Sequence, residues 1–263
     1  MSKTGLIIPS RFHSERLPGK ALMPLNGIPN LQRIIDRALS YSFIDMVVLA
    51  ISEDDGQEIE KFINDHYNTG ERINFIFGSH NDLASRTLAA AEYYGIDIII
   101  DISLCCTFFD PHIAENLIEK METYNADYAA NCIIRSFPDG FDVQVYTREI
   151  YEKINSVIAM NDPTRMWTGW NIWHHRNSIY PSPRIVNMQA EERWYYPEWR
   201  LTLDTSEDLK IIEEIYQHLE KHKYDGFPIL RDVMNCIASN PSLRKRIEEN
   251  KTIPTKLLQE PIK

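Results

Sequence analysis

Cysteine is scarce in this 263-residue chain, and its positions exclude more than they suggest. Cys105, Cys106, Cys132 and Cys236 form no C-x-x-C pair and lie far from ligand-spaced histidines, which speaks against a zinc site and a disulfide framework. They read as reduced, buried thiols. No apolar run approaches the roughly 20 residues that span a bilayer, and the opening MSKTGLIIPS lacks the long apolar core of a secretory signal. A cytoplasmic protein without membrane insertion is expected. Positive charge is short as well: 28 Lys and Arg against 38 Asp and Glu give a net charge of −10 and a pI near 5.3. That balance argues against a general nucleic-acid binder, which needs a basic stripe or patch. Neither GxGxxG nor GxxxxGK[ST] occurs, so a dinucleotide fingerprint and a P-loop are both absent.

What is there begins at residue 6. LIIPSRFHSERLPGK (Leu6 to Lys20) carries a strand-like apolar run straight into a loop bearing Arg11, His13, Arg16 and Lys20. Buried parallel strands read as continuous apolar runs, and open α/β sheets bind ligands beyond the carboxyl ends of their strands. The cations sit at that address and run against the overall negative field, with Pro18-Gly19 forcing a turn just before the lysine. Arginine forks and a lysine point charge in one loop suit phosphates. A solvated surface loop is the plain alternative.

Apolar runs alternate with amphipathic segments through the first half, the pattern of βαβ units. Strands are predicted at residues 5–8, 46–51, 74–77, 96–102 and 128–134, and helices at 30–41, 55–65, 83–94 and 111–124. Asp110-Pro111 gives the last helix a cap and a first-turn proline. After residue 135 the rhythm changes. A strand over 140–146 and a helix over 148–155 precede residues 161–199, rich in Trp, Tyr, Pro and Asn and without a period. All five tryptophans (Trp167, Trp170, Trp173, Trp194 and Trp199) fall there. An excursion from the sheet that forms a subunit interface is favoured over a substrate wall or a satellite core. Residues 201–204 read as a short strand, 206–220 as a helix and 229–250 as a helical tail. The expected division is one α/β domain over 1–225, with an inserted arm at about 156–200, and a C-terminal helical tail over 226–263.

Four segments carry a family resemblance. SRFHSERLPGKALMPLNGIPNLQRIIDRA resembles the opening of the cytidylyltransferases that make CMP-activated sugar acids, the group of the CMP-KDO synthetases and the spore-coat polysaccharide biosynthesis proteins. FPDGFDVQVYTREIYEK is similar to the PDGxDVEV stretch of the spore-coat branch, IDISLCCTFFDP holds the place of GDCPLIDP, and RLTLDTSEDLKIIEEIY is similar to RLTVDTPEDL. Together they span about residues 5 to 220. The resemblance implies a three-layer α/β/α sandwich with a mostly parallel mixed sheet of the nucleotide-diphospho-sugar transferase type. It also implies attack by a sugar hydroxyl on the α-phosphate of CTP, with magnesium as cofactor, pyrophosphate as the leaving group and a homodimer as the assembly. The product would serve surface polysaccharide or a related biosynthesis.

By the same resemblance Pro9, Ser10, Arg11, Arg16 and Lys20 bind the nucleotide, with Arg16 and Lys20 as catalytic cations on the triphosphate. Arg86 joins them, or pairs with Asp82 at helical spacing. Asp204 corresponds to a metal-binding aspartate, although aspartate before Thr-Ser-Glu-Asp is also a helix-capping arrangement; Asp208 or Glu207 then serves the cap if Asp204 holds metal. The family's second metal-binding aspartate falls at Cys105, and a thiol is a poor magnesium ligand. Asp101, about two pleats back on the same strand face, is the candidate replacement, whereas Asp110 caps the next helix. Asp142 and Gln144 alternate on one strand face and either contact the sugar or form a polar outer surface; His174 and His175 read as incidental. Two rival readings follow. One is a nucleotide-binding homologue that lost turnover with the carboxylate at 105; the other is a glycosyltransferase, for which the expected DxD element is missing, since Asp97-Ile98 is followed by Ile99.

Overall fold

The Leu-Ile-Ile run after Gly5 has no polar side chain to turn toward water, and in the computed structural model it lies buried at the centre of a sheet. Residues 2–14, 16–221 and 227–250 are described. Nine strands occur among them: β1 (Thr4–Ser10), β2 (Pro24–Leu25), β3 (Ile28–Pro29), β4 (Met46–Ser52), β5 (Ile73–Gly78), β6 (Ile98–Asp101), β7 (Tyr128–Ala130), β8 (Gln144–Thr147) and β9 (Ile185–Asn187). Seven form one sheet in the order β5-β4-β1-β6-β8-β7-β9, and β2 and β3 make a small hairpin. β8 runs antiparallel to β6 and β7, while every other pairing in the large sheet is parallel. The mostly parallel mixed sheet expected from the sequence is present.

The helices among the described residues are α1 (Asn30–Leu39), α2 (Gln57–His66), α3 (Leu83–Tyr94), α4 (Pro111–Tyr124), α5 (Arg148–Val157), α6 (Trp170–His174), α7 (Ser206–Lys221), α8 (Leu230–Ser239) and α9 (Pro241–Glu249). None is long and apolar enough to cross a membrane. The two-residue period of the strands sorts side chains to opposite faces. Leu6, Ile8, Val47, Leu49 and Ile51 enter the core shared with α1, α2, α4, α7 and α8, whereas Ile7, Met46, Val48 and Ala50 enter the one shared with α3, α5 and α6. Three layers result. With both faces covered, a central strand must be apolar throughout, and β4 is buried at every position. α3 and α4 span the residues predicted for them because their ends are chemically marked: Asp82 accepts from the Ser85 N–H and Asp110 from the His112 N–H, and Gly95 and Asn125 close them in the left-handed region.

Three elements differ from the sequence prediction. Residues 201–204 form no strand and bend at Leu203, because Asp208 captures the Asp204 and Thr205 N–H groups at 3.0 and 2.8 Å and turns the chain into α7. Residues 161–199 do not stay outside the sheet: β9 returns from that segment to pair with β7 as the edge strand. The tail over 229–250 is two helices, because Pro241 cannot continue α8 and instead opens α9. Residues 226 and 251–263 of the expected tail lie outside the described residues. β6, β7 and β8 are shorter than the runs at 96–102, 128–134 and 140–146, since the chain leaves the ladder at the sheet's carboxyl edge. There the Asn131 amide replaces strand pairing, donating to the Phe141 carbonyl and accepting from the Val143 N–H, each at 2.8 Å.

Gly140 lies at that edge with φ of 113°, and a Cβ there would stand 2.5 Å from the Leu201 carbonyl oxygen. Gly27, in the β2–β3 turn with φ of 81°, faces open space. Gly140→Ala is therefore expected to lower the unfolding free energy by about 3 kcal/mol and Gly27→Ala by only about 1 kcal/mol. Equal losses in urea denaturation would contradict the close approach at Gly140.

Candidate functional site

Beyond Ser10 the chain leaves the sheet and doubles back at Gly19, whose φ of 72° lets its N–H reach the Phe12 carbonyl at 3.1 Å. The turn delivers Lys20 inward. Lys20 Nζ donates to Asp204 Oδ1 at 2.8 Å, while Arg16 Nη2 and Arg200 Nη2 lie 3.2 and 3.4 Å from Asp204 Oδ2. Asp204 thus collects three cations, of which Arg16 is 61% exposed. Arg200 is shared with Asp208, which its Nε and Nη2 both reach at 3.0 Å. Asp208 also accepts from the Thr205 N–H while its own N–H donates to Thr205 Oγ1, a reciprocal capping box that leaves Asp204 free of capping duty. Burial alone would raise the Asp208 carboxyl, but hydrogen bonds from Arg200 and Asn250 outweigh it and hold it below the usual range.

The loop after β6 is pinned from α1. Arg37, fully buried, donates to the Thr107 and Phe109 carbonyls at 3.0 and 2.8 Å, and Asn30 Nδ2 donates to the Leu104 carbonyl at 2.9 Å. Leu203 N–H then donates to the Cys105 carbonyl at 2.9 Å, which brings Cys105 beside Asp204, where the charges of Asp204 and Lys20 both act on its thiol. That thiol donates to Ser103 Oγ at 3.1 Å. Asp101 does not come to the same place. β6 ends at Asp101, so the strand-face relation to Cys105 is broken, and Asp101 Oδ2 accepts from the Gly169 N–H at 2.8 Å and the Tyr146 hydroxyl at 3.2 Å. Burial pushes its carboxyl up, against the opposing hydrogen bonds from Thr168, Gly169 and Tyr146. Among the described residues no three His, Cys, Asp or Glu side chains are grouped to hold a metal. One carboxylate plus phosphate oxygens is a sufficient magnesium site, and Asp204 fits that arrangement; Asp101 and Cys105 do not.

Arg86 is the other cation of the site. Asp82, its alternative partner, is taken by Arg165 of the arm, whose Nε donates to Asp82 Oδ2 at 2.7 Å. Arg86 is 3% exposed, its Nε and Nη1 have no hydrogen-bond partner, and burial lowers its pKa to about 10. A buried guanidinium with unused donors is costly unless a ligand completes it. The charges of Arg11 and Asp55 both act on Arg86, and Asp55 Oδ2 accepts from the His13 N–H at 2.6 Å, fastening the basic loop to the β4–α2 turn. Ser10 Oγ donates to the Ile8 carbonyl at 3.0 Å, so its hydroxyl proton is used within β1.

Beside the loop a cavity of ≈ 290 Å³ is lined by Pro9, Asp101, Ser103, Gln144, Trp167 and Trp170. A neighbouring one of ≈ 180 Å³ shares Asp101, Ser103, Gln144 and Trp170 and continues to Cys105 and Asp142. Gln144 Oε1 accepts from the Tyr128 hydroxyl at 2.7 Å, while Arg135 grips both oxygens of Asp142 at 2.7 Å. Trp167 and Trp170 therefore wall a cavity. His174 stacks on Trp170 with centroids 4.9 Å apart, and His175 Nε2 meets Thr164 Oγ1 at 3.0 Å, so both histidines are built into the arm. Arg135, Arg165 and Arg200 are the cations around the site that sequence reading missed, each engaged with an aspartate. Only the Thr205-x-x-Asp208 box gave a local signal, for the partner of Arg200.

Mostly parallel sheets covered on both faces, whose first strand empties into a phosphate-suited loop, bind nucleotides at the carboxyl edge, and the fold and site place this chain in that class. Direct comparison supplies the family. The cytidylyltransferase family model matches residues 6–224, and the chain belongs to that family. It is 28% identical over 216 residues to the spore coat polysaccharide biosynthesis protein SpsF of Bacillus subtilis, covering 80% of this chain and 85% of the relative. It is 27% identical over 227 residues to the 8-amino-3,8-dideoxy-manno-octulosonate cytidylyltransferase of Shewanella frigidimarina, covering 81% and 84%. The structure of a cytidylyltransferase from Leptospira borgpetersenii superposes with a TM-score of 0.78 at 26% identity, over 97% of this chain and 100% of the other. A CMP:2-keto-3-deoxy-manno-octonic acid synthetase complexed with CTP shares the fold, with a TM-score of 0.57 at 17% identity over 82% and 99%.

The Asp208 carboxyl sits below its unfolded value of about 3.9, so its stabilisation is complete above about pH 4 and is lost as pH falls through the folded value. Asp208→Asn is expected to cost about 3 kcal/mol at pH 7, where Arg200 is left without its main partner, and to flatten stability between pH 5 and 3 (roughly the linkage window). Urea unfolding of both proteins across that range checks it; a parallel pair of curves would assign the acid sensitivity elsewhere.

Proposed function

We propose that the protein transfers CMP from CTP to a hydroxyl of a sugar or sugar-like acid, releasing pyrophosphate, for surface polysaccharide or a related product. The observation that carries this reading is the cluster of Lys20 and Arg16 on Asp204 beside Cys105, which lines the cavity, with Arg86 buried and its Nε and Nη1 without hydrogen-bond partners. The acceptor oxygen bonds to the α-phosphorus, the bond from that phosphorus to the bridging oxygen of the β-phosphate breaks, and pyrophosphate departs with the electron pair as the hydroxyl proton is lost. Negative charge on the transferring group is the barrier, and cations fixed in advance lower it without reorganising at the moment of reaction. Asp204 holds Lys20 and Arg16 in place, and triphosphate oxygens take over its hydrogen bonds. Arg11 and Arg86 supply further donors to the nucleotide, Arg86 through its two unused nitrogens. Magnesium belongs to this proposal: Asp204 would hold it together with phosphate oxygens, where it would neutralise triphosphate charge.

Cys105 favours a second reading, nucleotide binding without turnover, because a thiol stands beside Asp204 where the family resemblance places a carboxylate. Pyrophosphate release with CTP, magnesium and a panel of sugars and sugar acids separates the two. The first reading expects release by the native chain and a loss of about 100-fold or more in Lys20→Ala and Asp204→Ala, with circular dichroism unchanged. CTP binding indifferent to magnesium, without release, supports the second, and turnover appearing in Cys105→Asp would trace the loss to that one side chain.

A further inference from the structure

We infer that the C-terminal helix pair, α8 and α9, belongs to the nucleotide site, and that Asn250 at its end is the positioning residue through which it acts. The inference rests on the reading that places a nucleotide at Lys20, Arg16 and Asp204, and it adds an element beyond residue 224, where the family match ends. By its place in the chain the pair is an appendage. Val233, Ile237, Leu243 and Ile247 bury it in the core that also takes Ile212 and Ile215 of α7, which anchors the pair without assigning it a task. Its polar contacts assign one.

Both ends of the pair are tied to the segments that carry the site. At the start, the Leu230 N–H donates to Asp110 Oδ2 at 2.8 Å while Asp110 Oδ1 accepts from the His112 N–H at 2.9 Å, so α8 is fastened to the end of the loop that brings Cys105 beside Asp204. At the other end, Asn250 Nδ2 donates to Asp208 Oδ1 at 2.9 Å. Between them, Arg246 donates to Glu207 at 2.9 Å and to Glu214 at 2.6 Å, which holds the last turn of α9 along α7 and keeps Asn250 in reach of Asp208.

Asp208 gives that last contact its weight. Its Oδ2 accepts from Arg200 Nη2 and from the Asp204 and Thr205 N–H groups, whereas its Oδ1 accepts from Arg200 Nε and from Asn250. A carboxylate and a guanidinium joined fork to fork can turn as one body, so Arg200 by itself does not fix the plane of Asp208. On Oδ1 the Asn250 amide is the donor that comes from outside that body. The side chain of Asp208 is 1% exposed, and a donor lost there is not made good by bulk water. Any turn of the pair reaches Asp204 twice, through the Asp204 N–H on Asp208 Oδ2 and through Arg200 Nη2, 3.4 Å from Asp204 Oδ2. Asp204 is the seat of Lys20 and Arg16, so Asn250 sets where the cations that would meet the triphosphate stand.

The test titrates the full chain with CTP in a calorimeter without magnesium, so that binding is read apart from turnover. Asn250→Ala is expected to weaken CTP binding about tenfold, and Asn250→Gln, which keeps an amide donor, to recover most of that loss. Asn250→Asp keeps the shape but turns an acceptor on Asp208, and is expected to lose at least as much as Asn250→Ala. Asn240→Ala is the control for a merely loosened tail: it removes the side chain that caps α9 and donates to Glu214, and it makes no contact with Asp208. It is expected to lower the urea midpoint and leave CTP affinity unchanged. In pyrophosphate release, Asn250→Ala is expected to lower kcat about tenfold with the KM for the acceptor unchanged, because the cavity is lined from other elements. CTP affinity equal in the native chain and Asn250→Ala, or an equal loss in Asn240→Ala, overturns the inference and leaves cytidylyl transfer standing. CTP binding that depends on Asn250, with no pyrophosphate released, keeps the inference and removes transfer. A native chain that binds no CTP removes both.

Discussion

The site depends on the carboxylate of Asp204. Lys20 and Arg16 come from the loop after the first strand and Arg200 from just before the seventh helix, and without a shared counter-charge they would push one another apart. In a chain of net charge −10 such a knot of positive charge is a local exception. It persists because Asp204 balances it and because Asp208 fixes the backbone on which Asp204 stands. The same ionic knot joins residues near 20 to residues near 204, towards opposite ends of the family match, so the set of the basic loop and the closure of the fold are one interaction.

The aromatic arm is tied to the sheet in a comparable way. Gly169 is fastened to Asp101 at the end of β6, and Arg165 to Asp82 at the start of α3. The second tie lies next to Arg86: Arg165 takes one oxygen of Asp82, and the Nε and Nη1 of Arg86 have no hydrogen-bond partner.

Much of the fold was legible from local pattern. β4 and β5 declare themselves by apolar runs whose bounds fall within one residue of those observed, and α3 and α4 by side-chain caps and left-handed closures. The basic loop was legible too, because its position after β1 is a topological rule rather than a tertiary accident. Long-range partnerships were not. Nothing in the spacing of Arg165 and Asp82 announces a pair 83 residues apart, and that pair decides whether Arg86 is free. Asp101 was placed on the strand face of Cys105 by counting along a strand that in fact ends at Asp101, so the alternation no longer applied. β9 escaped notice because three half-buried residues at a sheet edge carry too little periodicity to be read.

The antiparallel course of β8 has a wider implication. Asp101 and Gln144 are register partners across β6 and β8, so the last residue of one strand and the first of the other meet at the rim of the sheet. The cavity lining is thereby carried in part by the segment leading into β8 and by the arm, whereas Lys20, Arg16, Arg86 and Asp204 come from the loop after β1, the first turn of α3 and the turn before α7. A substitution in the segment at 131–143 or in the arm thus reaches the cavity wall at positions that lie outside the ion pairs of Lys20 and Arg16 with Asp204.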